Sequence, residues 1–153
     1  MNKTHRSNLA KTAIYLLEKV KAAKFDMERY AFVNGYKIDP NQVTVNYNEC
    51  GTTCCFAGHA PMALNISPKS KIGKIADWFE YLGEVFLISP RSIEWKFLFS
   101  QHWSNSRKQA AARAVMLLES DFQYHFSYND MFLTRVTYKQ LIERLNVFVI
   151  ADK

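Results

Sequence analysis

The residues best suited to chemistry lie in one short segment, residues 50–60, which contains all three cysteines of the 153-residue chain. The same segment holds one of the four histidines and two of the five glycines. Cys55 and His59 are four positions apart, so a regular helix would place the sulfur and the imidazole on one face. Because the positive end of a helix dipole stabilises a thiolate, a helix beginning near Cys54 would favour a reactive thiol.

In a catalytic interpretation of this segment, Cys50 or Cys55 is the nucleophile and His59 is the base. The backbone amides of Gly51 and Thr52 would then stabilise an oxyanion. The local signatures of known cysteine proteases do not occur in the sequence, and no residue is evident that would orient His59. A Cys/His-dependent enzyme is therefore kept as an alternative to a protein without catalytic activity.

A zinc site is the second interpretation, because thiolate and imidazole are the preferred ligands of tetrahedral zinc. The candidate ligands are Cys50, Cys54 or Cys55, and His59. The Cys-x3-Cys-x4-His spacing is not a standard zinc motif, and a fourth ligand, His102 or His125, would have to come from far along the chain. We expect no cofactor, with zinc as the alternative.

The third interpretation, which we favour, gives the segment a structural role. Cysteine is among the most buried residue types, and glycine suits tight turns and close contacts between helices. In this interpretation Thr52 caps a helix, Cys54 and Phe56 pack in the core, and His59 forms hydrogen bonds inside the domain. The structural motif consists of Cys50, Gly51, Thr52, Cys54, Gly58 and His59.

The elements that position this segment are predicted to be helices, since apolar residues recur at helical spacing along most of the chain. The sequence predicts a mainly α protein: a single compact domain, residues 1–153, of five or six helices. A short extended or hairpin element is predicted near residues 43–47, where Val43, Val45 and Tyr47 alternate with polar residues. The predicted helices span residues 8–23, 54–64, 70–82, 91–99, 107–119 and 137–149.

Local signals predict how several of these helices begin and end. Ser7 or Asn8 is a candidate cap for the first helix, and one of residues 104–106 caps the fifth. Gly83 is predicted to end the third helix in a left-handed conformation. Pro61 lies inside the second predicted helix, where it removes a hydrogen bond, so we expect that helix to be short, kinked or ended there.

Charge is the other informative feature, because the net charge is +6 with a pI near 9.2 and is unevenly distributed. Residues 1–37 carry eight basic and three acidic side chains, and residues 91–118 carry five and one. If the first and fifth helices lie side by side, their cations would form one patch. The predicted binding residues are Lys3, Arg6, Lys11, Arg107, Lys108 and Arg113, with the last three facing outward.

Such a patch favours an acidic partner, either a protein surface or nucleic acid. Aromatic residues make up 14% of the chain, and exposed ones could stack on nucleic-acid bases. The candidates for stacking are Tyr15, Tyr30, Tyr36, Trp95 and Trp103. No run of 18 apolar residues occurs, and the N-terminal stretch is amphipathic, so we expect a cytoplasmic protein without a membrane partner.

The cysteine segment also carries a resemblance. The motif is Cys50-Gly51-Thr52-x-Cys54-x-x-Ala57-Gly58-His59-Ala60, preceded by Phe25-x-Met27 and followed by Leu82-Gly83 and Leu98-Phe99. It resembles a group of small uncharacterised proteins of tailed bacteriophages and their bacterial hosts, over about the first 120 residues. Relatives in that group often have an aliphatic residue in place of Cys55 and tryptophan or histidine in place of His59. The resemblance implies a phage protein acting in the infected cell and supplies no activity.

We therefore expect a non-catalytic inhibitor or modulator, with anti-defence activity as one form, that binds a host protein or protein complex. A nucleic-acid-binding module is an alternative, as is the Cys/His enzyme. The partner, the oligomeric state and the pairing of the helices are not specified by these patterns.

Overall fold

The computed structural model describes residues 1–21, 25, 32–33, 36–37, 56–66, 75–89, 91–99, 106–119 and 135–151. Within these residues the chain forms six helices and one pair of short strands. The elements are α1 (Lys3–Glu18), β1 (Phe32–Val33), β2 (Tyr36–Lys37), α2 (Phe56–Leu64), α3 (Ile75–Phe86), α4 (Ile93–Phe99), α5 (Arg107–Glu119) and α6 (Tyr138–Asn146). The prediction of a mainly α fold is confirmed.

The core is built around α1 and α5. Helix α1 contacts α2, α3, α5 and α6, and α5 also contacts α4 and α6. Residues 110–115 of α5 are all buried, and six consecutive residues cover more than one full turn of an α-helix. Helix α5 is therefore enclosed on all sides along this stretch, and four of the six residues are alanines that allow neighbouring helices to approach closely.

Contacts at the helix ends set the directions of three helices. Arg6 of α1 donates a hydrogen bond to the carbonyl of Leu118 in α5, while Arg107 of α5 donates to the carbonyl of Val20, just after α1. The two helices are therefore antiparallel. The α6 residue Tyr138 lies near Arg107, and Arg144 contacts Glu119, so α6 runs parallel to α5.

The last carbonyls of a helix have no hydrogen-bond donor within that helix. In this structure, side chains of other helices donate to several of these carbonyls. Besides the two arginine contacts, Asn8 donates its amide to Val85 O near the end of α3 at 2.9 Å. The Tyr81 hydroxyl donates to Ile66 O, just after α2, at 2.8 Å. Because each bond joins two elements, satisfying a helix end also fixes how the helices pack.

The first helix begins earlier than predicted. Asn2 is its N-cap, with its side chain accepting a hydrogen bond from the His5 amide at 2.9 Å while the His5 ring accepts one from Asn2. Ser7 and Asn8 lie inside α1, so the prediction that one of them caps it is wrong. The Ser7 hydroxyl instead accepts a hydrogen bond from Ile150 N at 2.8 Å.

The prediction that Gly83 ends the third helix is also wrong. Gly83 lies within α3, which continues to Phe86, and the residue with a left-handed backbone is Leu87, at φ 55°. The extra turn is favoured because Val85 and Phe86 are buried and Asn8 bonds the Val85 carbonyl. Tertiary packing has overridden the local glycine signal.

The cap predicted for the fifth helix agrees with the structure. Ser106 Oγ accepts a hydrogen bond from Gln109 N at 3.4 Å, so α5 begins at Arg107 as predicted. Helix α6 has Thr137 as its N-cap, with a reciprocal bond from Thr137 N to the Gln140 side chain. Helix α2 runs through Pro61 and ends at Leu64.

The strands β1 and β2 pair antiparallel, with Val33 opposite Tyr36. This register leaves two residues between them, the shortest common hairpin connection. The extended element predicted at residues 43–47 lies outside the described residues, as do residues 70–74 of the third predicted helix.

Candidate functional site

The described part of the cysteine segment is buried. Phe56, Ala57 and Ala60 are fully enclosed, and Gly58 and His59 are also buried in α2. The Phe56 ring lies 6.3 Å from the Phe86 ring, so its predicted packing role is confirmed. The remaining members of the motif, Cys50, Gly51, Thr52, Cys54 and Cys55, lie outside the described residues.

His59 occupies an aromatic environment. Its ring is 6.3 Å from that of Tyr15 in α1 and 6.4 Å from that of Phe25, with which it is stacked at an interplanar angle of 22°. Only 5% of His59 is exposed. The described surroundings of His59 are therefore buried and aromatic, which is compatible with the structural interpretation, and the cysteines of the catalytic interpretation lie outside the described residues.

A metal site is not formed by the described residues, which contain no group of three or more His, Cys, Asp or Glu side chains able to hold an ion. The predicted ligands Cys50 and Cys54, and the distant candidates His102 and His125, are outside that part of the chain. Of the proposed zinc ligands, the structure locates His59 alone.

The predicted basic patch is divided by the fold. Helices α1 and α5 do lie side by side, but because they are antiparallel, Arg6 and Arg107 are at opposite ends of the pair. The eleven residue steps from Arg107 to Leu118 correspond to roughly 16 Å of helix. Lys3 is exposed at the Arg6 end, Lys108 adjoins Arg107, and Lys11 lies between the ends.

Arg113 is not an outward-facing residue, contrary to the prediction. It is 3% exposed, within the enclosed stretch of α5. The helical pattern predicts a single apolar face, whereas neighbours surround α5. A guanidinium in this position belongs to the interior and offers no surface for a partner.

The two remaining arginines of the predicted patch hold the helices together. Arg6 bonds the Leu118 carbonyl, and its guanidinium carbon lies 5.0 Å from the centre of the Phe148 ring. Arg107 bonds the Val20 carbonyl and lies 6.0 Å from the centre of the Tyr138 ring. Both side chains therefore combine a hydrogen bond at a helix end with a cation–π contact.

A different group of cations lies at one end of the α1, α5 and α6 helices, which we call the basic end. Lys19 and Lys21 flank Val20, Lys108 follows Arg107, and Arg135 and Lys139 flank Tyr138 in the sequence. The contacts of Arg107 with Val20 and Tyr138 bring these three segments together. The basic end is defined by Lys19, Lys21, Arg107, Lys108, Arg135 and Lys139.

Among the described residues, exposure and helix direction both add positive charge at the basic end. Lys19, Lys21, Arg135 and Lys139 are exposed, while Arg107 and Lys108 are half-buried. Helices α5 and α6 both begin here. The first turn of each helix lies within the described residues and contains no acidic residue. The positive ends of two helix dipoles therefore add to the lysine and arginine charges. Glu18 is the acidic neighbour of Lys19 in α1.

The opposite end of α5 has a different character. Arg144 of α6 forms a bidentate pair with Glu119, with Nε donating to Oε1 at 2.8 Å and Nη2 donating to Oε2. The hydrogen bond to Glu119 raises the pKa of Arg144 above its usual value, with burial opposing this effect. Here a cation is neutralised locally, whereas the basic end gathers cations.

An exposed aromatic residue lies within the basic end. Tyr138, the first residue of α6, is 39% exposed. Two of the predicted stacking residues, in contrast, pack against other rings of the protein. Tyr15 is part of the aromatic surroundings of His59, and Trp95 packs edge-on against Phe79 at 5.1 Å. The side chains of Tyr30, Tyr36 and Trp103 are not described.

The prediction missed Arg135, Tyr138 and Lys139 as surface candidates, and it noted Lys19 and Lys21 only as polar positions of the first helix. The predicted helix over residues 137–149 already places Tyr138 and Lys139 at its start. No local signal could have shown that this start lies beside the end of α1, because that contact joins residues more than a hundred positions apart.

None of the described helices is long and apolar enough to cross a membrane. Comparison of the chain with models of known protein families, with curated protein sequences and with solved structures gives no match.

Proposed function

We propose that this protein is a non-catalytic binding protein that uses its basic end to recognise an acidic macromolecule. The observation that carries the proposal is the convergence of six cations from three chain segments at two helix N-termini whose first turns lack acidic residues. Fields of this kind steer and orient a negatively charged partner.

The burial of His59 and Arg113 also supports a binding function over a catalytic one. His59 is enclosed by aromatic rings, and Arg113 is buried, so neither offers a reactive group on the described surface. The basic end, in contrast, presents exposed charges that the contacts of α1, α5 and α6 hold in place. A binding function requires only these charges and the fold that positions them.

The resemblance to small phage proteins supports a context for the proposal. We infer a phage-type protein that acts in the cytoplasm of the infected cell as an inhibitor or modulator of a host machine, including a defence complex. Host machines that handle nucleic acid present acidic surfaces or phosphate backbones, and either would complement the basic end.

The test compares two matched variants. Lys139→Glu changes the basic end, and Lys3→Glu changes the opposite end of the molecule. Each removes an exposed lysine from the first turn of a helix and lowers the net charge by the same amount. Both variants should remain folded, since an acidic residue is favourable at a helix N-terminus.

The wild type and both variants are immobilised and used to retain partners from a bacterial lysate, with and without nuclease treatment. We expect Lys139→Glu to lose specific retention and Lys3→Glu to keep it. Equal loss in both variants would mean that net charge alone controls binding, and unchanged retention in both would contradict recognition by the basic end.

A further inference from the structure

The basic end contains a combination of groups that a purely electrostatic surface does not need. We propose that it binds single-stranded nucleic acid, with phosphates held by the exposed cations and a base stacked on Tyr138. This inference rests on the proposed function and specifies its partner class. It depends on the placement of one exposed aromatic ring among the cations.

Phosphate binding follows from the charges. Lys19, Lys21, Arg135 and Lys139 are exposed on segments that Arg107 draws together. Lysine and arginine side chains are among the groups that contact phosphate oxygens in nucleic-acid complexes. The backbone amides at helix N-termini also bind phosphate oxygens, and α5 and α6 both begin at this end. A chain of phosphates could therefore cross the end from the α1 side to the α6 side.

Base stacking follows from the position of Tyr138. The residue remains 39% exposed although the Arg107 guanidinium carbon lies 6.0 Å from the centre of its ring. Arg107 is itself bonded to the Val20 carbonyl, and the Thr137–Gln140 capping box orders the backbone on either side of the ring. The aromatic platform is thus held in place before a ligand arrives, which reduces the entropy lost on binding.

The cations and Tyr138 favour a single strand over two alternative partners, a nucleic-acid duplex and an acidic protein. In a duplex the bases are stacked on one another and their faces are not accessible to a side chain, whereas a single strand can place a base on an aromatic ring. An acidic protein would pair with the lysines, but its carboxylates provide no flat ring for Tyr138. The two alternatives become outcomes of the test.

The test measures binding by fluorescence anisotropy, with a fluorescein-labelled oligothymidylate, a duplex of equal length and labelled polyglutamate as probes. The variants are Lys21→Glu, Lys139→Glu, Tyr138→Leu and Tyr138→Phe, with Lys3→Glu as the control at the opposite end. Circular dichroism verifies that each is folded. Tyr138→Phe keeps the ring and removes the hydroxyl, so it separates stacking from hydrogen bonding, and the exposed position of Tyr138 allows Tyr138→Leu to fold.

We expect the oligothymidylate to bind more tightly than the duplex, with a dissociation constant that rises steeply with salt. Each lysine substitution should reduce the slope of log K against log salt by about 0.7, the value for one phosphate of a single strand. Tyr138→Leu should weaken binding about 5- to 150-fold with the slope unchanged, which corresponds to one lost base stack. Tyr138→Phe and Lys3→Glu should bind like the wild type.

Other results would overturn the inference, and they separate it from the proposed function. Binding of polyglutamate through Lys21 and Lys139, without binding of the oligothymidylate, would reject nucleic acid and retain an acidic protein partner. Equal binding of duplex and single strand, insensitive to Tyr138→Leu, would reject stacking. If no probe binds, or if Lys3→Glu weakens binding as much as Lys139→Glu, both the inference and the basic end as a recognition surface fail.

Discussion

The arginine contacts between α1 and α5 yield a prediction about stability that also tests the antiparallel arrangement. The changes are Arg6→Met and Arg107→Met, since methionine keeps much of the arginine stem and removes the charge. Each arginine makes a charged hydrogen bond to a helix-end carbonyl, worth about 1.5 to 3 kcal/mol, and a cation–π contact worth about 0.5 to 1 kcal/mol when exposed.

These contributions are reduced because water can reach the half-buried carbonyls when the guanidinium is removed and because methionine packs against the same rings. We expect each substitution to lower the free energy of unfolding by about 2 kcal/mol. The two sites are at opposite ends of the helix pair, so the double variant should lose about 4 kcal/mol, the sum of the single losses.

The measurement is urea unfolding followed by circular dichroism, with stabilities extrapolated to water. Lys3→Met is the control, because it removes an exposed cation from α1 and should change stability by no more than about 0.5 kcal/mol. If the double variant departs from additivity by more than about 0.5 kcal/mol, the two arginines interact and the separation of the ends is wrong. Single losses as small as that of Lys3→Met would refute the assigned contacts.

Three further predictions concern α3 and its C-terminal end. Leu87→Gly should raise the melting temperature, with a gain of about 0.5 to 1 kcal/mol, because Leu87 is 59% exposed and glycine relieves its left-handed backbone at φ 55°. Gly83→Ala should stabilise by about 1 kcal/mol in urea unfolding, since Gly83 lies inside the helix and a methyl group there would meet no atom within 4 Å; a loss of stability would contradict this placement. Burial, followed by the charge of Glu84, raises the pKa of Tyr81 well above its usual value of about 10, so the folded protein keeps a proton that the unfolded chain releases. The contribution of this pKa shift to the free energy of unfolding is complete below pH ~10. Above that pH it falls by about 1.4 kcal/mol per pH unit until the pKa of Tyr81 in the folded protein is reached. The free energy of unfolding of the wild type should therefore fall relative to that of Tyr81→Phe as the pH rises above 10. A difference in unfolding free energy that does not change with pH would contradict the raised pKa of Tyr81.

Local side-chain signals were sufficient at the starts of α5 and α6, although a signal of the same kind, the Asn2 cap of α1, was missed. The serine before Arg107 and the threonine before Tyr138 both cap the helices that the sequence predicts. The interior position of Phe56 also followed from its apolar character. Because these features depend on residues within a few positions of each other, they can be predicted from the sequence.

Predictions failed where a distant partner decided the outcome. Helix α3 passes Gly83 because Val85 and Phe86 gain burial and Asn8 bonds the Val85 carbonyl. Arg113 is interior because α5 has neighbours on every side, a property that its own sequence does not specify. At Gly83 the long-range packing outweighed a local preference of about 1 kcal/mol.

The amino-acid sequence by itself determined that the chain is mainly helical, where several helices begin, and that cations are concentrated in two regions. Only the tertiary structure decided that α1 opposes α5 and α6, and so which cations share a surface. The physical reason is that capping bonds span three or four residues, whereas the bonds from Arg6 to Leu118 and from Arg107 to Val20 form only when the helices pack. Those two bonds separate Arg6 from Arg107, and the contact of Arg107 with Tyr138 adds the start of α6, with Arg135 and Lys139, to the end of α1 that carries Lys19 and Lys21.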